Sequence, residues 1–136
     1  MGRVEYRIAF DICEAIRIII REAGLSYIDP ERIHCVRSNG SRSRAIARIY
    51  GLPRAWIVAL GWNPGYVIEV ISEKFDKLSG GEKVKVLIHE LLHIPRTFSG
   101  GLRPHGTHVN SREVSRIFRV LQDRGVINSI LEVIRE

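Results

Sequence analysis

In the stretch Ser79-Gly80-Gly81-Glu82-Lys83-Val84-Lys85-Val86-Leu87-Ile88-His89-Glu90-Leu91-Leu92-His93-Ile94-Pro95, the first four residues fit a capping box. A serine that can accept from the third helical N–H and a glutamate that can reach back to the serine mark a helix start. Val84, Leu87, Ile88, Leu91 and Leu92 recur at helical spacing and supply an apolar stripe that buries one face. The spacing predicts a helix from about Gly80 to Ile94, ended by Pro95, whose ring and missing N–H cannot continue it. His89 and His93 stand one turn apart on one face, at the edge of the stripe, so both imidazoles can reach one cation. Zinc takes such nitrogens at about 2.0–2.1 Å in tetrahedral geometry. Glu90 projects beside that position, where it can hold a zinc-bound water and accept its proton.

A catalytic zinc has three protein ligands and keeps its fourth position open. The only histidines after the helix are His105 and His108. The Gly100-Gly101-Leu102-Arg103-Pro104 loop lets the chain turn back, and His105 follows it directly, which favours His105. His108 is then an alternative third ligand, or a partner that orients a ligand or steadies an oxyanion. Glu113, the nearest downstream acid, is the carboxylate alternative. Arg103 and Tyr66 are candidates for oxyanion or substrate contacts.

Outward from the histidine helix, Tyr66 to Ser72 alternates and is β-branched, which predicts a strand. Ala55 to Leu60 reads as a second strand. The Gly61-Trp62-Asn63-Pro64-Gly65 turn would join the two as a hairpin, with the 66–72 strand as the edge available to an extended substrate. Trp56 and Trp62 are then core or hairpin residues. Residues 5–23 carry apolar positions at helical spacing up to Gly24 and predict an N-terminal helix. Ile33 to Val36 reads as a short strand and Ser38-Asn39-Gly40-Ser41 as a polar loop; Ala45 to Tyr50 is ambiguous. Neighbouring His34 and Cys35 would point to opposite faces. Asn110 or Ser111 caps a helix to about Asp123, and a short helix follows Gly125. The expected class is α+β: a small sheet packed on the histidine helix, with N- and C-terminal helices, in one domain spanning 1–136.

The chain has 136 residues, 45% hydrophobic and 26% charged, enough apolar material to offset chain entropy, which excludes general disorder. Net charge is +6, and Arg32 to Ile68 holds six arginines and no Asp or Glu. Within it Arg42, Arg44 and Arg48 are candidates for anion binding, and the segment as a whole for nucleic acid. Cys13 and Cys35 read as free thiols rather than a disulfide framework. The run Ile16 to Ile20 is broken by Arg17, so no membrane span is expected, and charges through the first fifteen residues leave no apolar leader. A cytoplasmic protein is the expectation.

Tyr66 to His108 resembles small archaeal proteins described as metallopeptidases, and its layout is similar to SprT-like and other minimal zincins. The His105-Gly106 pair matches the His-Gly of the SprT-like third ligand. The resemblance implies a zincin-like fold and a zinc metallopeptidase with one Zn2+ per chain. It implies His89, His93 and His105 as ligands and Glu90 as general base, acting on a peptide or protein substrate. Two departures stand out: Pro95 falls where zincin helices usually continue, and the chain is short. The SprT-like resemblance also implies work on protein bound to DNA. A zinc-stabilised binding module without turnover is the non-enzymatic rival.

Overall fold

Two parallel strands form the centre of a four-stranded sheet. In the computed structural model, which describes residues 2–135, β1 spans Glu5–Ile8, β2 Ile33–Asn39, β3 Ala47–Gly51 and β4 Tyr66–Ile71. Their spatial order is β1-β2-β4-β3. β2 and β4 run parallel, pairing Ile33 with Tyr66 and Ser38 with Ile71, and the two outer strands are antiparallel to their neighbours. Six α-helices accompany the sheet: α1 (Phe10–Glu22), α2 (Arg54–Leu60), α3 (Ser72–Phe75), α4 (Gly80–Leu92), α5 (Ser111–Asp123) and α6 (Ile127–Val133). The class is α+β, compatible with a zincin-like fold.

One face of the sheet carries the core. Successive residues alternate across a strand, so Ile33, Cys35, Tyr66, Ile68 and Val70 point together toward Ile12, Ile16 and Ile19 of α1 and Leu87, Ile88 and Leu91 of α4. α4 buries five apolar side chains, each worth about 1.5–3 kcal/mol as an upper bound. Its capping box forms as the sequence predicts: the Ser79 hydroxyl accepts from the Glu82 N–H, and the Ser79 N–H donates to the Glu82 carboxylate. Arg37, in the middle of β2, is 2% exposed and is neutralised by Asp11 at 2.9 Å and Asp76 at 2.8 Å. It is therefore a core cation and takes no part in a surface patch.

Five expectations are corrected. Residues 5–8 are strand, not helix: β1 pairs with β2, and α1 starts only at Phe10. Residues 55–60 form α2, not a strand. Pro53 precedes that run and Gly61 closes it at φ +63°, so it is punctuated like a helix, and six apolar residues are too few for periodicity to decide. The expected hairpin is therefore absent; β4 pairs antiparallel with β3, which resolves the ambiguous 45–50 stretch. β4 is an inner strand, and the edge beside α4 is β3. β2 also runs on to Asn39, taking in the first half of the expected polar loop. Among the described residues no helix is long and apolar enough to cross a membrane.

Candidate metal centre

α4 ends at the second histidine. His93 is its C-cap, and the last carbonyls of a helix have no partners within it. Here the chain itself returns to satisfy them. The Arg103 N–H donates to the His93 carbonyl at 2.7 Å, and the Arg103 guanidinium donates to the Leu92 carbonyl through Nε at 3.2 Å and Nη2 at 2.8 Å. In return the His93 Nδ1–H donates to the Arg103 carbonyl at 2.6 Å. That last bond selects the tautomer, because a carbonyl can only accept, and so it leaves the His93 Nε2 lone pair free.

Two residues beyond this clasp comes His105. Its Nε2 lies 3.1 Å from Nε2 of His89, and one ring nitrogen from each of His89, His93 and His105 falls within 4.8 Å of the others. Two nitrogens on one tetrahedral zinc, each at about 2.0–2.1 Å, sit about 3.3 Å apart. The His89–His105 separation matches that spacing, and three imidazoles suit a borderline-soft divalent cation in their chemistry. Burial, and after it the imidazoles of His93 and His105, hold His89 below the usual histidine range, which keeps its lone pair available. Glu90, one residue along the helix, is 7% exposed, and burial pushes its carboxyl up to about 7. His89, Glu90 and His105 line one cleft of about 700 Å³, shared with Ile46 and Ala47 at the β3 edge and with the start of α5.

The loop that carries His105 is anchored from three sides. Tyr66, on β4, accepts from the Gly100 N–H at 2.8 Å and donates to the Gly101 carbonyl at 2.9 Å. Phe98 takes φ +47° and packs edge-on against the same ring. Gly100 crosses β3 so closely that a Cβ at Gly51 would lie 1.8 Å from its carbonyl oxygen. Downstream, Asn110 caps α5 with its carbonyl oxygen and donates its Nδ2 to the Gly106 carbonyl at 2.6 Å, next to His105.

Among the sequence candidates, His89, Glu90, His93 and His105 come together. His108 is exposed and lies outside the three-histidine group. Glu113 sits in the first turn of α5, paired with Arg116 at 3.0 Å. Tyr66 and Arg103 do not offer free groups to a substrate: hydroxyl and guanidinium are committed to the loop and the helix end. The three surface arginines do not converge. Arg44 lines the histidine cleft, Arg48 lies 3.7 Å from Glu69 on the sheet, and Arg42 stands in the connection between β2 and β3. Trp56 and Trp62 are exposed rather than core. The clasp at Arg103 and the double role of Asn110 escaped sequence reasoning. Arg103 reads from sequence as an oxyanion or substrate contact, and no local pattern announces that its guanidinium closes a helix end.

A sequence profile of the family described as "Putative phage metallopeptidase" matches residues 4–130. No curated protein and no solved structure matches the chain. The archaeal and SprT-like resemblances thus rest on the motif alone.

Proposed function

From the premise that the chain belongs to the phage metallopeptidase family, we propose that it is a zinc-dependent peptidase using His89, His93 and His105 as ligands and Glu90 as proton carrier. The observation that carries this reading is three imidazole nitrogens gathered within 4.8 Å, two of them from residues that line a cleft with the buried Glu90 carboxyl. When bound, the cation supplies Lewis acidity, polarising a carbonyl and acidifying water. Glu90 takes a proton from the attacking water and returns it to the leaving amine. Burial raises its proton affinity, which suits a group that holds a proton between the two halves of that task. His93, fixed by the Arg103 carbonyl, keeps its tautomer throughout.

The substrate is an extended peptide laid along β3. Among the described residues β3 has one strand partner, β4, so its other edge can accept main-chain hydrogen bonds beside His89 and Glu90. The closed, purely structural alternative is disfavoured because the candidate group has three histidines and not four ligands among the described residues. The two unpaired cysteines fit work in a reducing compartment, the cytoplasm.

The test combines elemental analysis with hydrolysis of a fluorogenic peptide library. About one zinc per chain, retained in Glu90→Gln with loss of at least about 100-fold in rate, is the expected result. Zinc retained with undiminished hydrolysis would sink the role of Glu90; no zinc after reconstitution would sink the site.

A further inference from the structure

The sheet has a second face, closed at Ser38, Glu69 and Ile71 and open at Tyr6, Ile8, His34 and Tyr50. By the strand register, Tyr6 and Ile8 of β1, His34 and Val36 of β2, Val67 of β4 and Tyr50 of β3 point away from the core. None of them joins the core cluster. Tyr6 is 60% exposed, Ile8 66% and Tyr50 42%. Beyond the sheet rim, α2 buries none of its residues, and Trp56 stacks on Trp62 with ring centroids 6.4 Å apart. Between Trp62 and the sheet lies a cavity of about 480 Å³, lined by Arg32, His34, Tyr50, Trp62 and Val67 among others. That is within the size range of pockets that take a planar ring system.

Charge on this face is one-sided. β2, β3 and α2 all fall within the acid-free 32–68 segment, and of its six arginines Arg32 and Arg48 stand at this face. The single acid that the register places here is Glu69, 1% exposed and closed off by hydrogen bonds from Ser38 and Tyr50, each 2.5 Å. Arg48 stands on the same face, 38% exposed, and its buried Nε has no hydrogen-bond partner. Its 3.7 Å approach to Glu69 is an ion pair too long to be a hydrogen bond. Arg32 holds a second cation at the cavity, its fork also donating to the Asn63 and Pro64 carbonyls.

We propose that this face binds single-stranded nucleic acid, with bases on Tyr6, Tyr50 and Trp62 and phosphates at Arg32 and Arg48. Exposed flat rings suit a planar partner, and arginines with no exposed acid among them suit an anionic one. An unpaired strand is the polymer that offers both at once, whereas a duplex hides its base faces. In one common RNA-binding module, aromatic side chains on a four-stranded sheet stack two or three bases. The site is separate from the histidine cleft, so it stands or falls independently of the peptidase reading.

The experiment is fluorescence anisotropy of a labelled oligothymidylate of about 20 nucleotides, titrated with the full chain and compared with a duplex of equal length. The strand is expected to bind more tightly than the duplex. Trp62→Ala and Tyr6→Ala should each weaken it about tenfold, with zinc content and peptide hydrolysis unchanged. The slope of log K on log salt should be about −1.4 for two phosphate contacts. Equal affinity for the duplex, no binding, or binding indifferent to both aromatic replacements overturns the proposal. So does equal competition by polyglutamate or by phosphatidylglycerol vesicles, which would make the face a general anion or lipid surface.

Discussion

Replacing Arg103 by methionine keeps the stem and the loop backbone but removes the guanidinium from the Leu92 carbonyl. Two bonds, at 3.2 and 2.8 Å, converge on that single acceptor. A hydrogen bond from a charged donor contributes about 1.5–3 kcal/mol where water is excluded. Arg103 is half-buried, so water can partly replace it, and we take about 1–2 kcal/mol. The two backbone links to His93 persist, so the loop loosens without detaching. That loss falls on the arrangement that presents His105 to His89 and His93. Converted at about 1.4 kcal/mol per tenfold, zinc affinity drops about 5- to 30-fold, overlapping the roughly 10- to 100-fold found when groups that orient metal ligands are removed. Zinc titration against a chromophoric chelator measures it, with His105→Ala as the reference for complete loss of a ligand. An Arg103→Met protein with zinc affinity within about twofold of wild type and a reduced kcat would refute the clasp. It would return Arg103 to a direct role in stabilising the reacting carbonyl.

Two further outcomes follow from the same structure. Gly51→Ala drives a methyl into the Gly100 carbonyl at 1.8 Å, backbone against backbone, and should cost about 1–3 kcal/mol. A Tm drop of at least about 4 °C in calorimetry is expected, and an unchanged Tm would show that the loop does not lie against β3. The Asp11 carboxyl is raised by burial, but the Arg37 guanidinium and the Arg135 N–H outweigh this and hold it below the usual carboxylate range. A depressed folded-state value stabilises the fold above the unfolded value of about 4 and loses that contribution as pH falls through the folded one. Urea unfolding from about pH 6 downward should therefore show an acid limb below about pH 4 that Asp11→Asn flattens; an unaltered limb would exclude this pair as its source.

Much of the histidine helix was legible because its signals are local. A capping box, an apolar stripe and an i, i+4 histidine pair all belong to one continuous helix and its two caps, where 3.6-residue geometry alone decides what faces what. Residues 55–60 were misread because six apolar residues fit a strand and a buried helix equally well, and only the flanking Pro53 and Gly61 told them apart. Residues 5–8 were absorbed into the following helix because their pairing partner, β2, lies some thirty residues away, and no local pattern announces it.

By itself, then, the sequence determined the α+β class, the helix bearing His89, Glu90 and His93, and a segment of six arginines without an acid. Tertiary structure alone decided how close His105 comes to His89, which strand is the edge beside the cleft, and that Trp56 and Trp62 face solvent. The division has a physical cause. Helix geometry links residues four apart whatever surrounds them. The approach of His105 depends on Arg103 closing the helix end, Tyr66 pinning Gly100 and Gly101, and Gly51 leaving room for the loop. These contacts are made only once distant segments have packed.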